Sequence, residues 1–140
     1  MSGQGLISVR IPRLLLDVFR ASALRSKHTL HGATRTLISG MRNLTSGQLA
    51  ALAEPPRELD SPRVSLYVGS WCVTALTEVS QKTQLSVSSI VRRLVYGLFV
   101  DRSIWFVQNS ANKEWLLVSV QNGCEIRSSN RQGEKVHAAS

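Results

Sequence analysis

Ile7-Ser8-Val9-Arg10-Ile11 and Val64-Ser65-Leu66-Tyr67-Val68 are two stretches, 57 positions apart, in which apolar side chains alternate with polar or outward-facing ones. Successive side chains of an extended strand point to opposite faces, so each stretch reads as a half-buried β-strand. Ile7, Val9 and Ile11 form the inward set of the first strand, and Val64, Leu66 and Val68 that of the second. The outward set is Ser8 and Arg10 from one, with Arg63, Ser65 and Tyr67 from the other. Leu6 departs from the pattern, because the alternation turns it outward although it has no hydrogen-bonding group.

Working outward, the agreement extends without a gap from residue 7 to 41 and from 64 to 98. Identities are few (Ser8/Ser65, Arg35/Arg92, Leu37/Leu94, Gly40/Gly97), but apolar positions coincide, as at Leu16/Val73, Phe19/Leu76, Leu30/Val87, Ile38/Val95 and Met41/Leu98. Such self-similarity marks a structural repeat. Pro12 and Gly69 punctuate the strand ends, after which the period becomes helical. The first helix is expected to bury Leu15, Phe19 and Ser22/Ala23 in one copy, and Cys72, Leu76 and Val79/Ser80 in the other. After short breaks at 25–28 and 82–85, Thr29 and Ser86 stand where an N-cap belongs, and a second helix follows. In the second copy its apolar residues are Val87, Ile90, Val91, Leu94, Val95, Leu98 and Phe99, an unbroken amphipathic stripe. The first copy has a weaker stripe of Leu30, Ala33, Thr34, Leu37, Ile38 and Met41.

These boundaries give a first unit at 1–44, a linker at 45–61, a second unit at 62–102, a β extension at 103–127 and a polar tail at 128–140. Pro55-Pro56 and Ser61-Pro62 make the linker read as a surface segment holding a short helical turn at 46–53. The extension reads as a hairpin or three-strand meander, from Ile104-Trp105-Phe106-Val107, a strand at 115–120 and a tight-turn Gln121-Asn122-Gly123 before 124–127.

A unit of about 45 residues with one amphipathic strand and two helices leaves its apolar face in water and needs a partner. Antiparallel pairing of the two strands supplies it, placing the inward sets against four helices and turning the outward sets to solvent together.

Strand, helix, four-residue break and second helix, with Val9-Arg10-Ile11-Pro12 at the strand end and Thr29 and Ser86 opening the second helices, resemble the ribbon-helix-helix superfamily. This is the class of the Arc and MetJ repressors. The resemblance covers roughly 80 of the 140 residues. It implies a mainly α fold with a two-stranded antiparallel ribbon: a tandem, single-chain pseudo-dimer, to which the C-terminal β extension is added. It further implies major-groove base contacts from Ser8, Arg10, Arg63, Ser65 and Tyr67. Arginine there bonds guanine bidentately or is a solvated strand charge. Tyr67 touches a base, meets a phosphate or packs on the ribbon edge. Phosphate contacts fall to the second-helix N-termini, through Thr29, Leu30 and His31 and through Ser86, Val87 and Ser88, beside the alternative of plain capping. Arg35, Arg92 and Arg93 are phosphate contacts or solvated helix charges.

Charge agrees with an anionic partner. Seventeen basic side chains face nine acidic ones, and residues 1–57 hold eight basic against two acidic. The three tryptophans read as packing residues. Cys72 and Cys124 read as free thiols, no histidine has metal-ligand spacing, and no phosphate-binding glycine loop or nucleophile elbow occurs, so neither enzyme nor cofactor is expected. No apolar run suits a membrane, and Met1-Ser2-Gly3-Gln4 does not open a signal peptide, which makes a cytoplasmic, nucleoid- or plasmid-associated protein the expectation. The function implied is a DNA-binding transcription regulator. Its rivals are an accessory protein at the transfer origin of a conjugative element, and an antitoxin-like protein binding a partner through 103–140. Further self-association on DNA fits a palindromic site.

Overall fold

The computed structural model describes residues 5–119. Its elements are β1 (Leu6–Arg10), α1 (Arg13–Arg25), α2 (Leu30–Met41), α3 (Ser46–Ala51), β2 (Arg63–Tyr67), α4 (Ser70–Thr83), α5 (Val87–Phe99), β3 (Ile104–Gln108) and β4 (Trp115–Ser119). About half of these residues are helical. The strands form two separate antiparallel pairs, β1 with β2 and β3 with β4.

β1 and β2 pair with Leu6 opposite Tyr67, Ile7 opposite Leu66, Ser8 opposite Ser65, Val9 opposite Val64 and Arg10 opposite Arg63. The residues at the centre, Ser8 and Ser65, are the two that the sequence repeat lays on each other. Pairing therefore runs symmetrically outward from equivalent positions, as it would about a two-fold axis. Ile7, Val9 and Leu66 are buried, as are Ile11 and Val68 just beyond the strands. Leu6, Ser8, Arg10, Arg63, Ser65 and Tyr67 are exposed. A slip of one residue would exchange these faces, which is what fixes the register.

The two strand–helix–helix stretches share local detail, including the N-caps expected from the sequence. Thr29 accepts from the Gly32 amide and Ser86 from the Ser89 amide, each capping a second helix. Lys27 (φ 61°) and Gln84 (φ 63°), again 57 positions apart, both turn the chain through left-handed backbone, although neither is glycine. At the opposite strand ends Gly5 meets Gly69. A Cβ on Gly5 would lie 2.9 Å from the Gly69 Cα, and both have positive φ, so this crossing does require glycine.

The core joins both halves: Leu15, Leu16, Phe19 and Ala23 of α1, Leu37, Ile38 and Met41 of α2, Cys72 and Leu76 of α4, and Ile90, Val91, Leu94 and Val95 of α5. The weak α2 stripe is accommodated because Thr34, fully buried, donates its hydroxyl to the Leu30 carbonyl at 2.8 Å.

Two expectations change. Residues 45–61 are not merely a surface linker. α3 packs on α4 and α5, Leu49 and Leu52 are buried, and the Thr45–Gln48 capping box fixes where the helix starts. The tryptophans are not all packed either, because Trp71 is 55% and Trp115 is 49% exposed. In α4 the buried stripe is Cys72 and Leu76, which turns Trp71, one residue earlier, away from it.

The β3–β4 hairpin lies at the C-terminal ends of α2 and α5. A Cβ on Gly40 would come within 2.9 Å of Phe106 and 3.2 Å of Leu117, and one on Gly97 within 3.2 Å of Ile104. These glycines are repeat equivalents, so the single hairpin sits across corresponding points of both helices. Asn43 also donates to the Leu117 carbonyl at 2.9 Å. A cleft of about 640 Å³ opens beside the hairpin, with Phe19, Phe99, Phe106 and Trp115 in its lining. The tight turn Gln121-Asn122-Gly123, the third strand at 124–127, Cys124, His137 and the tail at 128–140 lie outside the described residues. Among those described, no helix is long and apolar enough to cross a membrane, and no three His, Cys, Asp or Glu are grouped to hold a metal.

Candidate nucleic-acid interface

The outward face of the β1–β2 ribbon carries three pairs of side chains in sequence along its length. Leu6 stands opposite Tyr67 at one end, Ser8 opposite Ser65 in the middle, and Arg10 opposite Arg63 at the other end. At about 3.3 Å per residue the end pairs are separated by about 13 Å. All five residues expected to contact bases are therefore on one exposed surface. The Arg63 Nη1 donates to Ser8 Oγ across the ribbon at 3.2 Å, and Arg10 Nη1 donates to the Ser61 carbonyl at 3.1 Å. The other guanidinium donors of Arg10 have no partner among the described residues, and a fork of that kind suits two acceptors on one planar edge.

Each end of the ribbon is gripped by the start of a second helix, and the two grips correspond. The Tyr67 amide donates to His31 Nδ1 at 2.8 Å, and Arg35 Nη1 donates to the Tyr67 carbonyl at 3.3 Å. At the other end the Arg10 amide donates to Ser88 Oγ at 3.3 Å, and Arg92 Nη1 donates to the Arg10 carbonyl at 3.0 Å. His31 and Ser88, Arg35 and Arg92, and Arg10 and Tyr67 are all equivalent under the 57-residue repeat. Each second helix thus holds the edge residue of the other copy's strand. A side chain at the second helical position and one a turn later lie on the same helix face, which is why residues four apart share this task.

This grip places the sequence-derived phosphate residues. Thr29 and Ser86 cap α2 and α5, Leu30 and Val87 are partly buried against the core, and the first-turn amides of Leu30, His31, Val87 and Ser88 have no carbonyl four residues earlier within their helices. His31 and Ser88 face the ribbon with their side chains. Arg35 and Arg92 reach back to ribbon carbonyls. The sequence leaves phosphate contact and solvated charge open for both; Arg35 is exposed with this one ribbon bond, whereas Arg92 is partly covered.

Arg93 departs furthest from expectation. It donates to Leu52 O at 2.6 Å, Ala50 O at 2.9 Å and Ser89 Oγ at 3.1 Å, anchoring the end of α3 to α5. Glu54, which sequence reading passed over, binds Arg92 Nε at 2.6 Å, Arg93 Nε at 3.2 Å and the Ser89 hydroxyl at 2.8 Å. Burial pushes the Glu54 carboxyl up. Hydrogen bonds from Arg92 and Ser89, with the charges of Arg92 and Arg93, outweigh it and hold the carboxyl below its ordinary value. A lone glutamate before Pro55-Pro56 gives no sequence signal for this role. Arg13, also passed over, pairs with Asp60 at 3.1 Å, both exposed near the arginine end of the ribbon.

Compared with known proteins, the chain matches no family model, no curated sequence and no solved structure.

Proposed function

We propose that this protein binds double-stranded DNA sequence-specifically as a tandem ribbon-helix-helix pseudo-dimer and regulates transcription, with the β1–β2 ribbon in the major groove. The observation that carries the reading is the register. Ser8 lies opposite Ser65, so the two strand–helix–helix repeats meet as two subunits would, and every polar ribbon residue is on the face left uncovered. A two-stranded ribbon fits the major groove, where serine and arginine have hydrogen-bonding base edges to read. The starts of α2 and α5 flank the ribbon ends, and their first-turn amides suit phosphate oxygens on either side. The basic first 57 residues supply the non-specific attraction.

The ribbon carries no equivalent pair at its two ends, so one molecule reads an asymmetric site. Selection from a random duplex pool, followed by a salt titration on the selected site, tests this. Specific binding that weakens steeply with salt is expected, with a footprint near a promoter in the source genome. A footprint beside a nicking site would assign the protein to DNA processing, and equal affinity for every duplex would refute the reading.

A further inference from the structure

We infer that the Leu6–Tyr67 end of the ribbon reads thymine by its C5-methyl group, while the Arg10–Arg63 end reads guanine. The site is therefore bipartite, with a methyl-bearing step and a guanine step. This inference rests on the DNA-binding role proposed above and adds the base chemistry at one end of the surface.

What distinguishes the pair from other exposed apolar side chains, such as Leu14 and Leu24, is its place on the polar face of the ribbon. Leu6 is 44% and Tyr67 56% exposed, they stand directly opposite each other, and they share a face whose other four members are serine and arginine. Nothing described covers them. Leu6 has no donor or acceptor in its side chain, so it cannot read any base by hydrogen bonding. The major groove offers an apolar side chain one base-specific feature, the thymine methyl. Directly opposite side chains lie about 5 Å apart, so Leu6 and the Tyr67 ring flank one apolar spot.

The backbone beneath is tied at several points. The Tyr67 amide and carbonyl are bound by His31 and Arg35, and the strand end closes where the Val68 and Gly69 amides meet the Gly5 carbonyl. The start of α2, at this same end, is also where the ribbon would be set against a phosphate. The apolar pair is thus continuous with the polar reading surface and fixed in place by the same helix. With about 13 Å between the ribbon ends and 3.4 Å per base pair, the thymine and guanine steps should be about four base pairs apart.

The full-length protein is first used to select its preferred duplex. Each thymine of that site is then replaced singly by deoxyuridine, which removes only the methyl. Loss of one buried methyl contact corresponds to about a fourfold weaker affinity. We expect this loss at one or two thymines about four base pairs from the guanines whose preference Arg10→Ala relaxes. The double variant Leu6→Ala/Tyr67→Ala, checked for an unchanged far-ultraviolet spectrum, should bind thymine and deoxyuridine sites equally and keep its guanine preference. Should the double variant prove unfolded, Leu6→Ser alone carries the same expectation. Specific binding without any sensitivity to deoxyuridine, or sensitivity that survives in the folded variant, overturns the inference and leaves the DNA-binding reading standing. Absence of any preferred duplex overturns both.

Discussion

Replacing Arg92 by alanine, beside the matching Arg35→Ala, separates an arginine that holds the ribbon from one only lightly tied to it. Arg92 gives one charged hydrogen bond to the Arg10 carbonyl at 3.0 Å and a second to Glu54 at 2.6 Å, with its side chain largely covered. A hydrogen bond from a charged donor contributes about 1.5–3 kcal/mol, and a partly exposed ion pair adds at most about 1 kcal/mol. Glu54 keeps Arg93 at 3.2 Å when Arg92 is gone, so its carboxylate is not left alone. The expected cost is about 2–3 kcal/mol, or a fall in melting temperature of about 6–12 °C for a chain of this size. Arg35 makes a single exposed bond of 3.3 Å to the Tyr67 carbonyl, so its loss should cost less than about 1 kcal/mol. Thermal and urea unfolding of both variants without DNA measures the difference. Equal stability of the two variants, or an Arg35→Ala variant weaker than Arg92→Ala, would refute the argument that Arg92 closes the ribbon's arginine end. Were both arginines kept only for phosphate, neither substitution would move the melting temperature.

Arg10→Ala leaves the ribbon backbone bonds intact, so it should cost about 1–3 kcal/mol on the selected duplex and relax preference at one base pair; competition against random duplex measures this, and an equal loss on both would count against base reading. Because the folded Glu54 carboxyl sits below its ordinary 4.5, its contribution to stability is complete above that value and disappears as pH falls through the lowered one. Wild type should therefore lose more stability than Glu54→Gln on going from neutral pH to about pH 3, as urea midpoints would report. Gly40→Ala forces a methyl to within 2.9 Å of Phe106 and 3.2 Å of Leu117, whereas Gly97→Ala meets nothing nearer than 3.2 Å. The first should cost about 1–3 kcal/mol and the second less, with denaturant unfolding as the check. Burial pushes the Cys72 thiol up, against a smaller pull from Arg35, so in a Cys124→Ser background it should resist a disulfide reagent at neutral pH until urea unfolds the chain.

Period and punctuation in the sequence determined the elements and the repeat. Alternation at 7–11 and 64–68, the stripe from Val87 to Phe99, and hydroxyls at Thr29 and Ser86 all express local geometry, which each residue carries wherever its segment lies. The outward ribbon residues were legible for the same reason, since a strand with one apolar face has one way to turn. Tertiary structure alone decided what the second-helix polar residues touch. His31, Ser88, Arg35 and Arg92 meet a strand more than thirty positions away, and the Glu54 hub joins a segment after α3 to α5. Such contacts depend on how elements are brought together, and no periodicity along the chain encodes them. The exposure of Leu6 beside Tyr67 lies between these cases. Alternation turned Leu6 outward, but only the antiparallel register gave it an aromatic neighbour and so an exposed apolar pair.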